Sequence, residues 1–123
     1  MNTDNVKQQM RKGVLELCVL SIIAAHSEVY PADIKERLKS AGMDVVEGTL
    51  YPMLTRLKNS GHLAYSWYES ESGPPRKYYR VTDDGRAFLT ELQQSWREFT
   101  ASVNMLFETE TVSLNDALLM AND

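Results

Sequence analysis

Apolar residues recur at helical spacing over residues 5–26. Val6, Met10, Val14, Leu17, Ser21 and Ala24 fall on one face, and the second half of the stretch is apolar nearly all round. That pattern predicts a first helix covered on several sides, more than one small domain readily supplies. After a short connection at His26–Val29, Tyr30 and Pro31 open a second helix, with proline at a tolerated first-turn position. Ile34, Leu38 and Ala41 line its face, and Gly42 suits its end. Glu47 to Ser60 reads as a third helix with a buried stripe of Leu50, Leu54 and Leu57. Pro52 is expected near its start, where first-turn amides lack helical partners and proline does no harm.

The period then changes. His62 to Tyr68 alternates, with Leu63, Tyr65 and Trp67 on one face; Arg76 to Thr82 alternates too, with Tyr79 and Val81 on one face. Glu69 to Pro75 lies between them and holds Ser70, Ser72, Gly73, Pro74 and Pro75. Two aromatic-rich strands around a polar Gly-Pro turn predict a β-hairpin. Thr82 is a good N-cap, followed by Asp83 and Asp84 where the helix dipole favours negative charge. The helix it opens is expected to run to about Phe107. Leu89, Leu92, Trp96, Phe99, Val103 and Leu106 are spaced 3, 4, 3, 4, 3 along it, a heptad seam. The tail is acidic and weakly patterned, with Ser113 to Asp116 suited to cap one short helical turn.

Three helices, a hairpin and a long helix, in that order, predict a mainly α fold with a small β-hairpin wing. This is a winged helix-turn-helix plus a long C-terminal dimerisation helix. The expected divisions are a DNA-binding domain over 5–82, a dimerisation helix over 83–107, and an acidic tail over 108–123, disordered or a short helix.

Composition narrows the function. The 123 residues are 43% hydrophobic and 24% charged, as in an ordinary soluble domain. The longest apolar stretch, Val14 to Ala25, is interrupted by Glu16 and Ser21 and is too short for a bilayer, which needs roughly 20 residues. Met1 to Gly13 is polar and does not lead into a cleavable signal. The lone Cys18 cannot form an internal disulfide, so a reducing cytoplasmic setting is expected. Net charge is −4 but uneven: 11 Lys and Arg against 9 Asp and Glu over residues 1–80, and 2 against 8 over 81–123. A slightly basic head and an acidic tail suggest two jobs.

Catalysis has no foothold. His26 and His62 lie in different elements, and no Cys or carboxylate cluster has metal-ligand spacing. Cys18, in an apolar helix, reads as packing. No cofactor, metal or enzyme activity is expected. In a winged helix-turn-helix the third helix enters the major groove. Outside its buried stripe lie Thr49, Tyr51, Pro52, Thr55, Arg56, Lys58 and Asn59, with hydrogen-bonding groups and two cations suited to bases and phosphates. Taken alone, this is equally an ordinary solvated helix face. The expected wing, with Arg76 and Lys77 beside its tip and Arg80 nearby, suits backbone phosphates or a minor groove, and the two features together favour DNA.

The run from Gly48 to Gly61 resembles the recognition-helix motif of PadR-type regulators. Gly73 to Gly85 resembles their wing and strand-to-helix junction, and Gly13 to Leu20 is similar to their first helix. The resemblance covers roughly residues 10–100 and departs at Tyr30-Pro31, where the family commonly has Tyr-Gly. It implies a homodimeric, usually repressing regulator on an inverted-repeat operator in double-stranded DNA. It also implies a response to phenolic acids, drugs or other small planar compounds. The single C-terminal helix resembles the short branch of the family, whose members stack a ligand on a tryptophan of this helix. Trp96 matches by position, and packing in the dimer seam is its other reading. The apolar first helix adds Leu15 and Cys18 as candidate ligand-binding residues at the dimer interface. The competing function is a winged helix used only for protein interaction, a role that does not need the cations of the third helix and wing.

Overall fold

The structure is a computed structural model that describes residues 3–121, with the side chains of 111–115 outside the description. The chain divides into two compact units, one ending at Thr90 and one beginning at Glu91. The first holds α1 (Asp4–Ala24), α2 (Pro31–Ser40), α3 (Glu47–Asn59), the strands β1 (Leu63–Ser70) and β2 (Gly73–Val81), and the opening turns of α4 (Asp83–Ala121).

Its core uses the stripes predicted for α2 and α3 (Ile34 and Leu38; Leu50, Leu54 and Leu57) but a different face of α1 from the one predicted, since none of Val6, Met10, Val14, Leu17, Ser21 and Ala24 is buried. Leu15, Val19, Leu20 and Ile23 of α1 are buried with Ile34 and Leu38 of α2, and with Leu50, Met53, Leu54 and Leu57 of α3. Burying each large side chain stabilises by roughly 1.5–3 kcal/mol. The stripe of α1 does not continue to the N-terminus: residues 3–13 are exposed, Val6 and Met10 among them. Both α2 and α3 end in the same way. Gly42 and Gly61 take left-handed backbone angles, φ 83° and 85°, and the next amides reach back to Leu38 and Leu57 carbonyls at 2.8 and 3.0 Å. These are Schellman closures, which a side chain at either glycine would strain.

Pro52 stands in the second turn of α3, not the first. At that depth an amide would bond the carbonyl of Gly48, and proline has no hydrogen to give. The helix continues regardless because Leu50, Met53, Leu54 and Leu57 on either side of it are buried.

The hairpin also departs from expectation. The strands reach further, leaving only Glu71-Ser72 between them. Gly73, Pro74 and Pro75 belong to β2, beside an irregularity between Tyr68 and Ser70 where the register shifts. A bulge tolerates prolines that a regular ladder rejects. At the other end Val29 pairs with Tyr79 through two bonds of 2.9 and 2.8 Å, an isolated bridge that ties the segment before α2 to the hairpin's root.

Thr82 caps α4 as predicted, its hydroxyl accepting from the Gly85 amide at 3.0 Å while donating to the Gly61 carbonyl at 2.6 Å. Leu89, assigned above to a dimer seam, is 6% exposed within the first unit. The helix does not stop near Phe107 but runs to Ala121, so no separate turn forms at Ser113–Asp116; the capping side chain of Ser113 lies outside the described residues. The second unit is the rest of this helix. Trp96, Phe99, Met105, Leu106 and Phe107 are exposed along it, and Leu92 and Val103 are half-buried.

Candidate nucleic-acid interface

The outer face of α3 gathers most of the residues picked from sequence. Tyr51, Pro52, Thr55, Arg56, Asn59 and Ser60 line an open hollow of about 620 Å³. Arg56 is 59% exposed and approaches Glu16 of α1 at 4.0 Å, a long and solvated pair. The Tyr51 phenol is held above its ordinary pKa, first by burial and then by Glu47 and Tyr30. Two of the expected residues do not line this hollow. Thr49 is half-buried, and Lys58 extends toward the hairpin, its Nζ 5.6 Å from the ring centroid of Tyr65.

The wing has two faces, because neighbours along a strand point opposite ways. Lys77 pairs with Trp67 across the hairpin, and its Nζ lies 4.4 Å from the centroid of Tyr65 and 5.3 Å from that of Trp67. Arg76, paired with Tyr68, turns to the opposite face and sits 4.8 Å over the ring of Tyr30. On that face Tyr78 meets both Tyr30 and Tyr68, and the Tyr68 hydroxyl donates to Glu28 at 2.9 Å. That hydrogen bond is the main reason the Tyr68 phenol is held above its usual pKa. The two cations are therefore not a pair beside the tip. The tip carries Glu71 and the cations stand along the shaft, each against aromatic rings.

Sequence reasoning missed Glu16, Tyr30, Tyr65 and Trp67 as neighbours of these cations. Cross-strand pairing of aromatic with basic positions was the available signal, but alternation was read only as placing the aromatic residues on one face.

Of the residues named for ligand binding, Leu15 is buried in its own unit. Cys18 is half-buried, its thiol 3.7 Å from the sulfur of Met43 and its pKa raised by burial. Trp96 is 47% exposed. Among the described residues, no group of three or more His, Cys, Asp or Glu could hold a metal, and no helix is long and apolar enough to cross a membrane.

Residues 19–91, more than half of the chain, match the sequence pattern of the transcriptional regulator PadR-like family. The chain belongs to that family. A transcriptional regulator of Mycobacterium tuberculosis is 40% identical over 80 residues, 65% of this chain and 74% of the relative. Among solved structures, a PadR-like transcription factor of Bacteroides fragilis is 53% identical with a TM-score of 0.69, covering 83% of this chain and 98% of its own. A PadR family regulator of Eggerthella lenta is 34% identical with a TM-score of 0.80, covering 87% and 93%. In this PadR frame the helices, hairpin and long C-terminal helix are those of a winged-helix regulator, and the family is one of transcriptional regulators rather than enzymes.

Proposed function

We propose that this PadR-family protein is a cytoplasmic repressor that binds an inverted-repeat operator in double-stranded DNA as a homodimer. A small planar aromatic molecule beside Trp96 at the dimer interface releases it. The observation that carries the DNA reading is the face of α3, where exposed Arg56 stands among Tyr51, Thr55 and Asn59 around one open hollow. Arginine reads a guanine edge bidentately, and hydroxyl and amide groups suit bases and phosphates. Lys58, Lys77 and Arg76 supply positive charge on the same unit.

The dimer reading rests on the second unit. Phe99 is 69% and Leu106 59% exposed on a helix whose apolar positions keep heptad spacing from Leu92. A two-fold pairing through Leu92, Trp96, Phe99, Val103 and Leu106 repeats each DNA-binding unit, and a symmetric dimer suits a symmetric site. The ligand reading rests on Trp96 alone, whose exposed ring is a stacking surface. Such a ligand must bind the DNA-incompetent dimer more tightly than the competent one, or it shifts nothing.

Footprinting on DNA upstream of the protein's own gene and its neighbours tests this. The expected result is two protected half-sites about 10 base pairs apart, centre to centre, or a multiple of that. No protection, or a single unpaired patch, overturns the operator reading. Planar dyes should quench the parent more than Trp96→Ala, in which Trp67 remains as fluorophore. Equal quenching, or tight binding that leaves operator affinity unchanged, overturns the ligand reading.

A further inference from the structure

Tyr65 stands where the recognition helix and the wing share a surface. Its ring is fixed on two sides, edge-on to Tyr79 at 5.7 Å and to Trp67 at 5.9 Å. Two cations from different elements approach it. Lys58, one residue before the last of α3, brings its Nζ to 5.6 Å from the ring centroid, and Lys77 of β2 brings its own to 4.4 Å. Among the described residues neither lysine forms an ion pair.

An aromatic face attracts an ammonium group within about 6 Å of its centroid. Two ammonium groups drawn to one ring add their positive potential there, which an anion such as a phosphate relieves. A free lysine is flexible and loses rotamer freedom when it grips a phosphate. A lysine already resting on a ring has lost part of that freedom before the phosphate arrives.

We infer that Tyr65 is a positioning residue for DNA binding, whose ring holds Lys58 and Lys77 as one phosphate-gripping pair and so ties the recognition helix to the wing. The inference rests on the DNA reading above. It goes beyond that reading in giving the two lysines a joint action and in assigning that action to a side chain that itself need not touch DNA. The ring matters and the hydroxyl does not.

The test uses the full chain and a random-sequence duplex of about 30 base pairs, because phosphate contacts are independent of sequence. Tyr65→Leu is expected to weaken binding about threefold to fivefold at fixed salt, and Tyr65→Phe to leave it unchanged. Lys77→Ala should weaken the parent more than it weakens the Tyr65→Leu protein, and Lys58→Ala likewise. Leu and Phe variants of equal affinity, or lysine losses equal in both backgrounds, overturn the inference. Should Tyr65→Leu fail to fold, the parent alone decides. The ε-methylene proton signals of both lysines should be displaced upfield by the ring, and unshifted signals overturn it. If the parent shows no salt-dependent binding to the duplex, the DNA reading itself has failed, which is a different result from a parent that binds and a Tyr65→Leu variant that binds equally well.

Discussion

The main chain of Gly85 runs so close beneath the carbonyl of His62 that a β-carbon at Gly85 would overlap that oxygen and crowd Val81 as well. The closeness is set by Thr82, which caps α4 and also grips the end of α3 through Gly61. Alanine is the better helix former by about 1 kcal/mol. Here the collision is with backbone, which cannot swing aside, so the substitution forces a shift of packed elements. Gly85→Ala is expected to destabilise by about 2–4 kcal/mol, read as a lower urea midpoint at unchanged slope. A variant as stable as the parent would show that this junction is looser than described.

Glu16 and Arg56 meet at 4.0 Å with side chains 38% and 59% exposed, a pair worth about 0–1 kcal/mol of stability at most. Its larger effect is on binding, since the carboxylate competes with DNA for the guanidinium. Glu16→Gln should leave the melting temperature nearly unchanged and tighten DNA binding about twofold to threefold. Arg56→Ala should weaken it by about 1–3 kcal/mol, relax base preference, and abolish the gain from Glu16→Gln. A gain that survives in the Arg56→Ala protein would place the effect of Glu16 elsewhere.

Leu92 and Phe99 share the heptad face of the second unit. Changing both to Glu places four carboxylates in a two-fold seam, where burial of charge is costly. The double variant is expected to sediment as a monomer and to lose operator binding while its first unit keeps its helical signal. Sedimentation as a dimer would exclude this face as the seam.

Cys18 should be a sluggish nucleophile. Burial raises its thiol pKa, and its Sγ rests against Met43. The thiolate is the reactive form, so near pH 8 alkylation by iodoacetamide should be slower than for free cysteine, and denaturant should remove the difference. Equal rates would contradict the packing described for α1.

The second and third helices were legible in the sequence because each buries a stripe, and a stripe is a spacing. The first was legible as a helix, but its second half is apolar nearly all round and the spacing pointed to a face other than the buried one, Leu15, Val19, Leu20 and Ile23. Thr82 was legible because a cap is a residue type at a boundary. The hairpin's turn was not, since Pro74 and Pro75 mark turns in most chains and here sit beside a bulge. Nor was the far part of α4, where Thr109, Thr111, Val112, Ser113, Asn115 and Asp116 are weak helix formers and no periodic face marks the helix. The aromatic positions of β1 were assigned to one face, and their environment was not legible. Cover fades along the strand from Leu63 at 2% exposed to Trp67 at 58%, and alternation carries no information about how far a neighbouring helix reaches. Tyr65 and Trp67 form the surface on which Lys77 of the wing rests.

The bridge between Val29 and Tyr79 bears on how the chain assembles as it is made. Its two halves are far apart in sequence, so the segment leading into the second helix waits for the last strand of the wing to leave the ribosome. At about 5–20 residues per second that delay is several seconds. For that interval three helices exist without the strand that closes over them, and the unit cannot be complete until the hairpin has folded back. The wing, usually thought of as an appendage to a helical body, is here a piece without which the body cannot close.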